Sequence, residues 1–164
     1  MSALSEAELA ELEAVKKRFH GYKRLLINFV GRGAMEDTKI DEIGKAEFGH
    51  RWAGVFAADE AKKLLQMKDR FAIVNTATSS GRGSHWLAVY MTKAGVGVVY
   101  DSFGRDPARV IWRLSRAAMA EHVALQGTNP NQEQRGVSAV CGQISLAFLL
   151  CVRDLGISAV AAAV

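Results

Sequence analysis

Cys141 stands where a loop carrying Gly136 and Ser138 gives way to an apolar run, the place where a helix begins. A thiol at a helix N-terminus meets the positive end of the dipole, which favours the nucleophilic thiolate. His85 follows a glycine- and serine-rich turn and opens a strand-like run beside Trp86. Its imidazole titrates near neutrality, as a general base must. Asp101 closes the next strand-like run, and a hairpin sets the start of one strand against the end of the next. Asp101 is thereby expected beside His85, where a carboxylate holds the ring and stabilises imidazolium. Gln134 lies seven residues before Cys141. Its amide is placed to donate to a developing oxyanion, together with the Cys141 backbone N–H. The chemistry this set fits is covalent acyl transfer by an activated thiol. Taken singly, each residue also has an ordinary role: a small buried hydrophobe, a half-buried strand histidine, a strand-end turn residue and a solvated loop glutamine. Cys151, further along the same apolar run, reads as structural.

Other chemistries find less support. There is no Cys-x-x-Cys, no pair of histidines at helical ligand spacing and no acidic triplet, so no metal site is expected. His20, His50 and His122 are scattered and read as structural or surface residues. Gly81-Arg82-Gly83 lacks the strand–turn–helix context and partner residues of a phosphate-binding loop. With 164 residues, 49% of them apolar and 23% charged, the chain has the balance of one globular domain. A net charge of +4 permits polyanion binding without requiring it. If Cys141 and Cys151 share one helix they stand roughly 15 Å apart, beyond the reach of a disulfide. A reducing compartment follows as the default. The acidic N-terminus has no apolar core, so no secretory signal is expected, and the longest apolar run is too short to span a bilayer.

The elements that must position these residues follow from pattern. Ser5 and Glu8 form a capping box with Leu4 and Leu9 at staple positions, predicting a helix from residue 5 to about 20. The basic cluster of Lys16, Lys17, Arg18, Lys23 and Arg24 carries that helical extension to about residue 28. A glycine loop over 29–34 follows. A short helix is predicted over 59–68, then strands over 71–77, 85–92 and 96–103. Short connections join them, the second a hairpin at 93–95, so they read as an antiparallel meander. Asp106 and Pro107 start a helix running to about Val123. A polar loop over 126–137 leads to the last helix, from Cys141 to about Val152.

Three ordered motifs then resemble one family. Residues 72–77, a short loop and His85-Trp86-Leu87-Ala88 form the first; Asp101-Ser102-Phe103-Gly104 the second; Gln134 with Ser138-Ala139-Val140-Cys141-Gly142 the third. In that order they resemble the adenovirus-type cysteine proteases, the adenain family, with the Ulp-type SUMO proteases as wider relatives. Arg51-Trp52-Ala53-Gly54-Val55 weakly resembles an early adenoviral segment. The likeness covers roughly residues 40 to 152; some 35 N-terminal residues have no counterpart. It implies an α+β, papain-like or adenain-like fold with a central, mainly antiparallel sheet and the nucleophile at a helix N-terminus. Residues 1–34 are then an N-terminal helical extension with its glycine loop, and residues 35–164 the protease domain. The implied activity is a viral cysteine endopeptidase that cleaves structural precursor polypeptides during virion maturation. Cys141, His85, Asp101 and Gln134 are its catalytic residues, and Trp86 lies on the substrate.

No cofactor is chemically required. The resemblance implies activation by DNA or by a peptide segment, and places the protein in the virion and host-cell interior, nucleus or cytoplasm, unsecreted and off the membrane. Arg109, Arg113 and Arg116, at i, i+4 and i+7 with Arg105 just before, form a basic stripe read as the DNA-binding surface. Neither cysteine matches the position of a disulfide-linked activator, so the N-terminal helix is read as a built-in one, with Gly33 near a self-cleavage site. Two other functions fit the same residues. One is deconjugation of ubiquitin-like proteins, which Asp101-Ser102 also suits. The other is a non-catalytic DNA-binding or capsid-associated protein that keeps the fold.

Overall fold

The N-terminal capping box forms as its residues demand. Ser5 Oγ accepts from the Glu8 N–H at 3.1 Å, and the Glu8 carboxylate accepts from the Ser5 N–H at 3.2 Å. The computed structural model, which describes residues 3–81, 85–128 and 139–164, continues this helix, α1, over Glu6–Val30. It outruns the predicted end because Val15, Phe19, Tyr22 and Leu26 keep one apolar stripe running through Gly21. Phe29, expected in the loop, is therefore helical. Gly31 ends the helix at φ +88°, a conformation that suits glycine.

The remaining elements are α2 (Asp37–Phe48), β1 (Trp52–Phe56), β2 (Arg70–Asn75), β3 (Trp86–Met91), β4 (Gly97–Tyr100), α3 (Pro107–Val110), α4 (Trp112–Glu121), β5 (Leu125–Gly127), α5 (Cys141–Leu155) and α6 (Ile157–Ala163). Short 3₁₀ turns occupy Gly49–Arg51 and Ala61–Gln66. The second of these stands where a short α-helix over 59–68 was expected.

The architecture is α+β, with one five-stranded sheet in the order β1-β2-β3-β4-β5. The expected meander is present: β2–β3 and β3–β4 pair antiparallel. The sheet as a whole is mixed, which corrects the expectation of a mainly antiparallel one. β1 pairs β2 in parallel and β5 pairs β4 in parallel. Each parallel pair is joined by a crossover, the first through the 3₁₀ turn Ala61–Gln66 and the second through α3 and α4, as parallel strands require.

Side-chain alternation explains why the strands read as continuous apolar runs. Phe71, Ile73, Ala88, Tyr90 and Tyr100 face one buried cluster with α1, α2, α5 and α6. Ala72, Val74, Leu87, Val89 and Val99 face a second, with Ile111, Leu114 and Ala118. Both faces of the sheet are covered. The stacked rings of Tyr100 and Phe148, 4.4 Å apart, tie β4 to α5, and Phe19 of α1 meets Tyr100 edge-on at 6.0 Å. A polar cluster also joins α1 to α5: the Tyr22 hydroxyl donates to Asp154, and Arg18 lies 3.3 Å from the same carboxylate.

The predicted helix after Pro107 is broken. Asp106 caps it as expected, accepting from the Ala108 N–H. Ile111, buried, leaves the helical conformation (φ −128°, ψ 57°), and the helix restarts at Trp112. Arg109 therefore does not continue one helical stripe with Arg113 and Arg116. Among the described residues no helix is long and apolar enough to cross a membrane. His20, His50 and His122 lie at the surface, as read from the sequence.

Candidate active site

The β3–β4 hairpin and α5 bring three of the four predicted residues together. Pairing of Ala88 with Tyr100 sets His85, just before β3, against Asp101, just after β4. His85 Nε2 lies 2.5 Å from Asp101 Oδ1. Cys141 is the first residue of α5, and its thiol is near enough to the His85 imidazole for each to shift the other's titration. The Trp86 backbone N–H also donates to Cys141 Sγ at 3.4 Å. Phe103 covers the imidazole, with ring centroids 5.0 Å apart. Gln134 lies outside the described residues.

Electrostatics push the three groups in different directions. Burial alone would raise the Asp101 carboxyl, but His85 and Arg105 outweigh it and hold it down at about 2. Burial alone would lower His85; hydrogen bonding to Asp101 and Cys141 outweighs that and lifts it above the usual imidazole value. Burial would raise the Cys141 thiol, yet His85 and the backbone N–H groups of Trp86 and Gly142 carry it below the ordinary thiol value. A raised base beside a lowered acid favours a thiolate–imidazolium pair. Cys151, on the same helix, shows the contrast. Burial, with Asp154 nearby, pushes it up to about 12, which leaves it inert near neutral pH.

Two supporting features were not read from the sequence. Arg105, predicted as a DNA contact, is a partner of Asp101: its backbone N–H and Nε donate to Oδ2 at 3.1 and 2.7 Å. No helical spacing marks the pair, because residues 101–105 form a turn. Gln143, fully buried in the first turn of α5, donates Nε2 to the carbonyls of Gly31 and Gly33, both at 2.9 Å. It fastens the α1–α2 connection beside the thiol. Trp86, predicted on the substrate, assists: its indole N–H donates to the Met35 carbonyl at 3.0 Å, and the Ser145 hydroxyl donates to the Trp86 carbonyl at 3.2 Å. Gly142 allows this closeness, since a Cβ there would stand 3.1 Å from Met35 Sδ.

Arg113 and Arg116 fold around the exposed Trp112, their guanidinium carbons 4.3 and 6.0 Å from its ring. No cluster of three metal-binding side chains occurs among the described residues. Compared with known proteins, the chain matches no family model and no curated protein.

Proposed function

We propose that this chain is a cysteine endopeptidase acting by acyl transfer through Cys141, His85 and Asp101. The observation that carries the proposal is one buried imidazole held by a carboxylate beside a thiol at the N-terminus of a helix. In the proposed reaction His85 takes the Cys141 proton and the thiolate attacks the peptide carbonyl. Gln134 and the Cys141 N–H hold the oxyanion. Imidazolium returns the proton to the leaving amine as the C–N bond breaks and a thioester forms. Water, deprotonated by His85, then displaces the thiolate and releases the acid.

The adenain-like, papain-like assignment of the fold rests on the order histidine, acid, glutamine, cysteine and on the three motifs that carry it. So does the role: cleavage of structural precursors during virion maturation, inside the virion and host cell. Incubating wild type, Cys141→Ala and His85→Ala with such precursors, and reading new termini by mass spectrometry, tests both. Wild type is expected to generate discrete termini and both variants none, with the double variant no worse than either. Turnover retained by Cys141→Ala, or lost in Cys151→Ala alone, overturns the assignment. Release of ubiquitin-like proteins from fluorogenic conjugates, with precursors left intact, moves the substrate to the deconjugating class.

A further inference from the structure

The groove beside Cys141 carries, over its described lining, a charge opposite to that of the whole molecule. Met35 packs on Gly142, and Trp86 donates its N–H to the Cys141 thiol. Both residues also line a cavity of about 460 Å³. That volume lies within the range of sites that enclose a ligand. Glu36 and Asp37, at the start of α2, and Glu60, beyond the end of β1, are the only ionisable side chains among its described lining residues. The chain as a whole is +4.

These carboxylates are not consumed by helix capping. Glu36 stands at the N-cap of α2 and Glu60 at that of the following 3₁₀ turn, and neither makes a side-chain capping bond. Asp37 gives one oxygen to the Thr38 N–H. Asp59, the neighbouring acid, does not line the groove; the Ser79 N–H and hydroxyl donate to its two oxygens at 2.8 and 2.7 Å. A second feature points to the form of the ligand. Phe56, at the end of β1, lines the same groove, and β1 is an outer strand of the sheet. One side of an outer strand's backbone has no strand partner, which suits an extended polypeptide.

Resting on the endopeptidase reading, we propose that this groove seats an extended substrate segment bearing lysine or arginine close to the bond that Cys141 attacks. Glu36, Asp37 and Glu60 are its specificity-determining residues, and acidic segments are rejected there by like charge.

The test separates binding from turnover. Cys141→Ala protein is titrated with two fluorescein-labelled peptides, one alternating lysine and glycine, the other glutamate and glycine. Anisotropy is read at about 10 mM and about 150 mM ionic strength. The lysine peptide is expected to bind about tenfold tighter at low salt, with the margin narrowing at high salt. Glu36→Gln/Glu60→Gln should erase most of that preference, and Glu36→Lys/Glu60→Lys should invert it. Far-UV circular dichroism and thermal melts establish that each variant is folded. Equal or tighter binding of the glutamate peptide, the outcome net charge alone favours, overturns the proposal. So does a lysine preference that survives Glu36→Gln/Glu60→Gln. In wild type, cleavage of lysine-flanked and glutamate-flanked sites at equal kcat/KM sinks the groove assignment and leaves the endopeptidase standing. Carboxylate-dependent binding with no cleavage of any peptide does the reverse.

Discussion

Arg105 occupies one of the two oxygens of Asp101. Oδ2 accepts from Arg105 twice, while Oδ1 holds His85 and accepts a longer bond from the Phe103 N–H. The consequence is readable in the rate at which iodoacetamide alkylates Cys141, since only thiolate reacts. In wild type this rate is expected to reach its plateau below the ordinary thiol range. His85→Ala should move the midpoint upward, because burial then acts with less opposition. Arg105→Ala leaves the Asp101 charge less compensated. The imidazolium then persists to higher pH, while Asp101 protonates at a higher pH on the acid side, so both limbs of the turnover profile shift upward. An Arg105→Ala profile superimposable on wild type removes Arg105 from the site. Asp101 also contributes to stability with a definite sign. Its carboxyl is lowered on folding, so the contribution is complete above the unfolded carboxylate value and is lost as pH falls toward about 2. It amounts to about 2 kcal/mol, and thermal melts across that window should show the loss in wild type and not in Asp101→Asn. The His85–Asp101 pair was legible because a hairpin fixes which strand ends meet. Arg105 was not, since its bond to Asp101 is made across a turn, where helical spacing rules do not apply. Gln143 was hidden by its setting, a polar residue inside an otherwise apolar helix.

Elements with one clear signal were read well, and those with conflicting signals were missed. The capping box of α1, the Asp106–Pro107 start of α3 and the β2–β3–β4 meander each follow from local chemistry. α2 carries Gly44 in its middle, a residue that argues against a helix. The structure supplies the reason for it: a Cβ there would lie 2.1 Å from the Trp52 ring, so glycine is what lets β1 approach α2. β1 holds a second glycine, Gly54 at φ +132°, and a register shift, which erase its alternation. β5 has three residues and pairs only after a crossover. The break at Ile111 redistributes the arginines. Arg105 belongs to the site and Arg109 to α3, leaving Arg113 and Arg116 around the exposed Trp112. We propose that DNA meets this aromatic–guanidinium patch, where bases stack on the ring and phosphates meet the cations. Affinity for single-stranded DNA should then fall steeply with salt, and Arg113→Ala/Arg116→Ala should flatten that dependence. An unchanged slope in the double variant rules the patch out.

At the scale of the molecule, α1 forms part of the wall of the larger core. Val15, Phe19 and Leu26 are buried in the same cluster as Phe148, Leu149 and Cys151 of α5, the helix that presents Cys141. Arg18 acts on Cys151 electrostatically and pairs with Asp154, so α1 also covers the inert thiol. The α1–α2 connection is then clasped by Gln143 and Trp86 beside Cys141. An activator helix that docks on a finished domain and a helix that completes the domain make different predictions for a chain lacking residues 1–34. A docked activator leaves a folded truncation with low activity, restored by adding a peptide of residues 1–34. A helix that completes the core leaves Phe148 and its neighbours uncovered, and replacing a buried phenylalanine by alanine alone typically costs about 3–5 kcal/mol. The burial favours the second. Phe19→Ala should lower thermal stability by that order, and the truncated chain should lose a cooperative melting transition. Cys151 is the internal reporter. In the full chain iodoacetamide should label Cys141 far faster than Cys151; in the truncation the two rates should converge as Cys151 meets solvent. A truncated chain that melts cooperatively and keeps Cys151 protected would return residues 1–34 to the role of a separable extension.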